Sequence, residues 1–181
     1  PGMDGCAIAT GFPFRQQGIK GKRGNNQISR MLLSVPQGSL GFWADRLKGA
    51  GIKAEEASGF GAERLNFDHP CGLRYGFVAD GDGDASRAWE RGGVSADNAI
   101  LGTYGIEVSV MFPAEMDLYL TKGLEAEKDK TEGQTTRYAL SADGQGRWVE
   151  LKHEPDLEPG TWFFGEGSMH HAAWNIQNAE N

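Results

Sequence analysis

Two stretches of this sequence repeat one order of elements, and that repeat limits the fold more than any composition figure does. Ile28 to Val35 has strand length and β-branched ends. Pro36-Gln37-Gly38 makes a turn, and Ser39 stands where a helix N-cap belongs. Leu40, Trp43 (or Phe42), Leu47 and Ala50 then recur at helical spacing until Gly51 stops the helix. Ile52 to Ala57, Glu63 to Phe67 and Leu73 to Ala79 follow as short strands. Asp68-His69-Pro70-Cys71-Gly72 supplies turn chemistry between the last two. After a linker rich in Gly and Asp, Asp80 to Asp97, the order returns. Ile100 to Val110 is a strand with Ile106, Val108 and Val110 in phase, and a helix carries Met116, Tyr119, Leu120 and Leu124. Glu125 to Glu132 reads as a solvated charged stretch, and Thr135 to Ser141 and Arg147 to Lys152 as strands joined by Asp143-Gly144. Strand-like patterning starts a third time at Met169 to Ile176. The expected fold is α+β: repeated βαβββ modules forming curved, mainly antiparallel sheets, helices on one side and a concave face on the other.

Charge and composition narrow the function classes. Acidic residues outnumber basic ones 25 to 18, for a net charge of -7, which argues against a nucleic-acid surface. The one basic cluster, Lys20, Lys22 and Arg23, lies among glycines and reads as a solvated loop. No apolar run approaches the roughly 20 residues of a membrane span, and no signal peptide opens the chain. Cys6 and Cys71 are too few and too far apart for a disulfide scaffold or a Cys-based zinc site, so a reducing cytoplasm is the expected compartment.

Gly165-Glu166-Gly167-Ser168-Met169-His170-His171-Ala172-Ala173-Trp174 resembles the G-x-G-x-x-H-H-x-A-F segment that opens a metal-binding module in ring-cleaving dioxygenases of the vicinal oxygen chelate superfamily. Ser34-Val35-Pro36-x-Gly38-Ser39-Leu40-x-Phe42-Trp43, Phe67-Asp68-x-Pro70-x-Gly72-Leu73 and Phe77-Val78-Ala79-Asp80 resemble its hydroquinone-type branch, in consistent order. The resemblance implies four βαβββ modules in the parent protein and Fe(II) or Mn(II) on two His and one Glu. Such a facial set leaves one side open to an aromatic diol or hydroquinone and to dioxygen. It also implies boundaries: 1–26 as the tail of a preceding module and a linker, modules at 27–80 and 99–160, and the first strand of a further module in 165–181. On that mapping the chain is a partial sequence, in keeping with its start at Pro1 and its stop just after a strand. His171 matches a ligand position, while the other His and the Glu fall outside both ends. The parent is then an extradiol-type dioxygenase, and whether this chain holds metal, or is an enzyme by itself, stays open.

Strand alternation favours His171 over His170 as the ligand: His171 shares a face with the small Ala173, His170 with Ala172 and Trp174. The bland alternative is a hydrogen-bonded core histidine. His69, in a turn beside Pro70, reads as structural or solvated. Glu150 stands at a module position where the superfamily sometimes keeps a carboxylate ligand, but His153, an odd number of residues away, makes it a poor partner. The corresponding Gly76 cannot bind metal, so that module reads as structural. Tyr104, Trp148, Trp162 and Phe163 could line an aromatic pocket, although strand aromatics more often fill cores. Asp80-Gly81-Asp82-Gly83-Asp84 lacks the spaced Glu of a calcium loop. Two other functions stay open: a metal-free scaffold or small-molecule-binding domain of the same superfamily, and a glyoxalase-like lyase. A strand left unpaired at each end would favour a homodimer.

Overall fold

A computed structural model describes residues 8–11, 20–81, 88–140, 148–160 and 165–174. In chain order its elements are β1 (Ile8–Gly11), β2 (Gln27–Ser34), α1 (Leu40–Gly49), β3 (Ala54–Gly59), β4 (Ala62–Asp68), β5 (Arg74–Ala79), β6 (Gly102–Val110), α2 (Pro113–Leu118), β7 (Glu127–Glu132), β8 (Thr135–Ala139), β9 (Trp148–His153) and β10 (Met169–Ala173). Eight strands form one sheet in the order β3-β4-β5-β2-β6-β9-β8-β7. That order reads the same outward from the β2–β6 junction in both directions. In each half the first and last strands pair in parallel (β2 with β5, β6 with β9), and every other pairing is antiparallel. The expected βαβββ repeat is therefore present as two halves of one mixed sheet.

That sheet curls. β4 and β9 are four strand steps apart, about 19 Å in a flat sheet. Yet Arg64 on β4 reaches Glu150 on β9 at 2.6 Å. The turn after β3 likewise reaches β7 at the opposite edge, where the Phe60 amide donates to Glu132 Oε2 at 2.6 Å. Only curvature brings these groups together, so the face they share is the concave one.

The helices cover the other face. Trp43 and Leu47 of α1 pack with Val35, Leu65, Phe77 and Ala79, each large side chain contributing about 1.5–3 kcal/mol by leaving water. Gly51 ends α1 as expected. At φ 73° it lets its own N–H reach the Lys48 carbonyl and the Ile52 N–H reach the Leu47 carbonyl. Ser39 does sit at the N-cap, but its hydroxyl donates back to the Pro36 carbonyl at 2.7 Å instead of capping. In the second half Leu120, Ile106, Tyr138, Val149 and Leu151 form the matching core.

Three expectations need correction. Glu127–Glu132 is a strand, with all six residues exposed at the sheet edge; charged side chains are how such an edge avoids further pairing. α2 passes into a π-helical turn, Tyr119–Gly123, which shifts the helical register and leaves Tyr119 and Leu124 exposed while Leu120 is buried. β1 and β10, expected to lie unpaired, pair with each other antiparallel. Asp143, Gly144, Trp162, Phe163 and Asp82 to Asp84 lie outside the described residues. Among the described residues no helix is long and apolar enough to cross a membrane.

Candidate functional site

The concave face holds a network of charges and rings. Arg64 donates from Nη1 to Glu150 Oε2 at 2.7 Å and from Nη2 to Oε1 at 2.6 Å, with Glu150 1% exposed and Arg64 7%. Burial alone would lower the Arg64 pKa, but the hydrogen bonds and charge of Glu150 outweigh it and raise it. The Arg64 guanidinium lies 5.7 Å from both the Phe60 and the Tyr104 ring centroids. Arg137 on β8 donates to Tyr104 Oη at 2.7 Å, stands 3.9 Å over the Trp148 ring and pairs with Asp129 at 2.6 Å. Desolvation, then the nearby Glu150 charge, push the Tyr104 hydroxyl pKa up, so it stays protonated.

Tyr104 reaches this face through a bulge. In the β2–β6 register Leu32 faces Gly105 and Leu33 faces Thr103, so Tyr104 is the extra residue. A bulge re-aims a side chain, which explains why Tyr104 packs with Leu32 and Val78 while Ile106, two residues on, faces the helix side. Tyr104 and Trp148 are thus ring neighbours, 6.2 Å apart, in a filled interior. Glu150, weighed as a carboxylate ligand, has both oxygens on Arg64. His153 is half-buried on the same strand. At the matching position of the first half, a Cβ on Gly76 would lie 2.7 Å from Asn66 Oδ1.

His171 sits on β10. Both it and His170 are exposed, as is Ala173, whereas Ala172 and Trp174 pack against the second core. Alternation predicts the two imidazoles on opposite faces, but their Nδ1 atoms are 2.6 Å apart. The cause is a second bulge: Thr10 pairs with His171 and Gly11 with Met169, leaving His170 as the extra residue. The motif glycines upstream have packing reasons. A Cβ on Gly165 would meet the Gly21 nitrogen at 2.4 Å, and Gly167, at φ 84°, lies where a Cβ would meet the Cys71 carbonyl at 2.7 Å. They let the approach to β10 lie flat against the segment before β2 and the β4–β5 turn. Arg23 of the basic cluster belongs to that contact, pairing with Asp68 at 3.0 Å and donating to the Gly72 carbonyl, and so is not simply solvated. His69 Nδ1 accepts the Cys71 amide at 3.2 Å and touches its Sγ at 2.8 Å.

Among the described residues no three His, Cys, Asp or Glu side chains are placed to hold a metal ion. His171 with its neighbour does not make a metal site, and the Arg64–Glu150 pair leaves the hollow no unshared carboxylate at Glu150. The residues described here do not by themselves fit the metal that the fold family implies.

No family model matches the chain. Three curated relatives match nearly all of it. Chlorohydroquinone/hydroquinone 1,2-dioxygenase of Sphingobium indicum is 31% identical over 96% of this chain and 54% of its own length. The Bacillus subtilis protein MhqE, named for ring cleavage by dioxygenation, is 32% identical over 98% of this chain and 56% of its own. A crystal structure named for a Bacillus subtilis dioxygenase superposes with a TM-score of 0.81 at 30% identity, over 89% of this chain and 50% of that one. Glyoxalase I from Zea mays superposes at TM-score 0.55 and 12% identity, over 84% and 50%, which speaks for the fold alone. The paired βαβββ sheet and these matches support the fold of the vicinal oxygen chelate superfamily. Within it the chain resembles the hydroquinone ring-cleaving dioxygenases, and it spans about half the length of the curated relatives it matches.

Proposed function

We propose that this chain is part of a metal-dependent ring-cleaving dioxygenase acting on hydroquinone- or catechol-like aromatics with dioxygen. Identity of 31–32% across 96–98% of the chain with relatives bearing that name carries the reading. In this proposal His171 is one ligand of Fe(II) or Mn(II), the other ligands come from outside 8–174, and the modules at 27–80 and 99–160 act as scaffold. The Arg64–Glu150 pair, which occupies both carboxylate oxygens, supports that division of labour, because a hollow closed by an ion pair suits a support better than a reaction chamber. The same pair favours the second reading, a metal-free scaffold, and metal analysis separates the two. A glyoxalase-like lyase has only the fold in its favour. Cys71 is a buried free thiol, in keeping with the proposed cytoplasmic location. With β1 and β10 paired, a homodimer would have to rest on another surface, such as the exposed Phe112, Leu118 and Tyr119.

The test is oxygen uptake with hydroquinone, alongside bound iron and manganese, in the whole protein. His171→Ala is expected to lower uptake by more than about 100-fold and to strip the metal, since even outer partners of metal ligands cost 10–100-fold. His170→Ala should keep most of both. Unchanged metal content and uptake in His171→Ala would remove that residue from the site, and no metal or uptake in the unmodified protein would favour the scaffold.

A further inference from the structure

On the concave side a cavity of about 350 Å³ opens beside β2, β4 and β5, lined among others by Arg30, Lys53, Asn66, Phe67, Asp68 and Arg74. A larger one, about 600 Å³, adjoins it through Arg74. Most charges here are matched. Lys53 pairs with Glu55 at 3.0 Å, and Lys152, beyond the cavity, with Glu154 at 2.8 Å. One carboxylate, Asp68, serves both Arg23 at 3.0 Å and Arg74 at 3.5 Å.

Arg30 is the exception. Its side chain is 16% exposed, and its Nη1 donates to the Tyr75 carbonyl at 3.1 Å. The carboxylate oxygen paired with it, Glu107 Oε1, stays 4.0 Å from Nε and already accepts the Ser29 hydroxyl at 2.7 Å. Arg30 Nε, Arg74 Nε and Asn66 Oδ1 are all buried without a hydrogen-bond partner. Burial, and after Glu107's opposing charge the like charge of Arg74, lower the Arg30 pKa; a guanidinium nevertheless stays protonated in proteins. A buried cationic N–H without an acceptor is costly; Arg30 Nε is such a donor beside this cavity, and Arg74 Nε has only the long 3.5 Å contact to Asp68, in a chain of net charge -7.

We propose that this cavity is a binding site for a small organic carboxylate, its oxygens accepting from Arg30 and Arg74. Asn66 Oδ1 takes a hydroxyl donor on the same ligand. A cavity of this size holds a single ring. The geometry suits a carboxylate better than a spherical anion, because guanidinium groups match its planar pair of oxygens. The site is separate from His171 and independent of the dioxygenase reading.

The experiment is calorimetric titration of the whole protein with 2-hydroxybenzoate, benzoate and benzyl alcohol, with inorganic phosphate as a further anion. The expected order is 2-hydroxybenzoate tighter than benzoate, with benzyl alcohol showing no saturable binding. Arg30→Gln should weaken benzoate at least about tenfold, the loss of one charge-assisted pair, and Asn66→Ala should erase the preference for the hydroxylated acid. Should Arg30→Gln fail to fold, Arg74→Gln, at a side chain 40% exposed, carries the same expectation. Benzyl alcohol or phosphate binding as tightly as benzoate, or equal benzoate affinity in the folded arginine variant, would overturn the assignment. Binding is read without turnover, so failure here leaves the oxygen-uptake result standing, and the converse holds.

Discussion

Arg64→Ala is expected to lower the unfolding free energy by about 3–5 kcal/mol, the usual cost of removing one partner from a buried pair. Glu150, 1% exposed on β9, would lose the partner that holds both its oxygens, and the Phe60 and Tyr104 rings would lose the guanidinium between them. The pair also joins the two halves, since Arg64 belongs to β4 and Glu150 to β9. The double variant Arg64→Met with Glu150→Leu should recover most of the loss, because well-packed apolar side chains of similar volume often equal or exceed a buried ion pair. Urea unfolding of both single variants and the double gives the coupling directly. A single-variant cost under about 1 kcal/mol, the scale of an exposed pair, would mean that water reaches the hollow and that it is not closed.

That pair also marks where sequence reasoning reaches its limit. The repeat was legible because Leu65 with Phe67, and Ile106 with Val108 and Val110, alternate visibly between Gly- and Pro-rich breaks. Arg64 and Glu150, 86 residues apart, fall on the polar phase of their strands, which ordinarily means solvent. Only the curl turns that phase inward, and curl is a property of the whole sheet. The β7 strand was hidden for the opposite reason: at an edge, charge replaces alternation. Tyr104 and His170 each sit at a bulge, and a bulge overrides the period-two rule by which the imidazoles were assigned to opposite faces. The motif placed His171 on a strand correctly, but the groups around that imidazole depend on chain pairing, which no local pattern encodes.

Gly105→Ala should be the most damaging single methyl group in the sheet, at about 3 kcal/mol or more, the upper range for overpacking. Gly105 faces Trp148 across the parallel β6–β9 pair. A Cβ there would lie 2.1 Å from the Trp148 carbonyl oxygen, 2.8 Å from its carbon and 2.9 Å from the Trp148 Cβ. The obstacle is strand backbone, so relief requires β9 to move away from β6. That would disturb the ladder from Gly105 to Val110 and the anchoring of Glu150, two residues along β9. Helical Gly41 is the control. Nothing lies within 4 Å of a Cβ placed there, and Gly41→Ala should be neutral or stabilise by up to about 1 kcal/mol through helix propensity. Urea midpoints compare the two, and tryptophan emission should shift in Gly105→Ala as Trp148 loses its place beside Tyr104 and Arg137. Equal midpoints for Gly105→Ala and the unmodified protein would mean that β6 and β9 do not pair in this register. The inward direction of Glu150 would then lose its basis, because a one-residue slip turns every side chain of β9 to the other face.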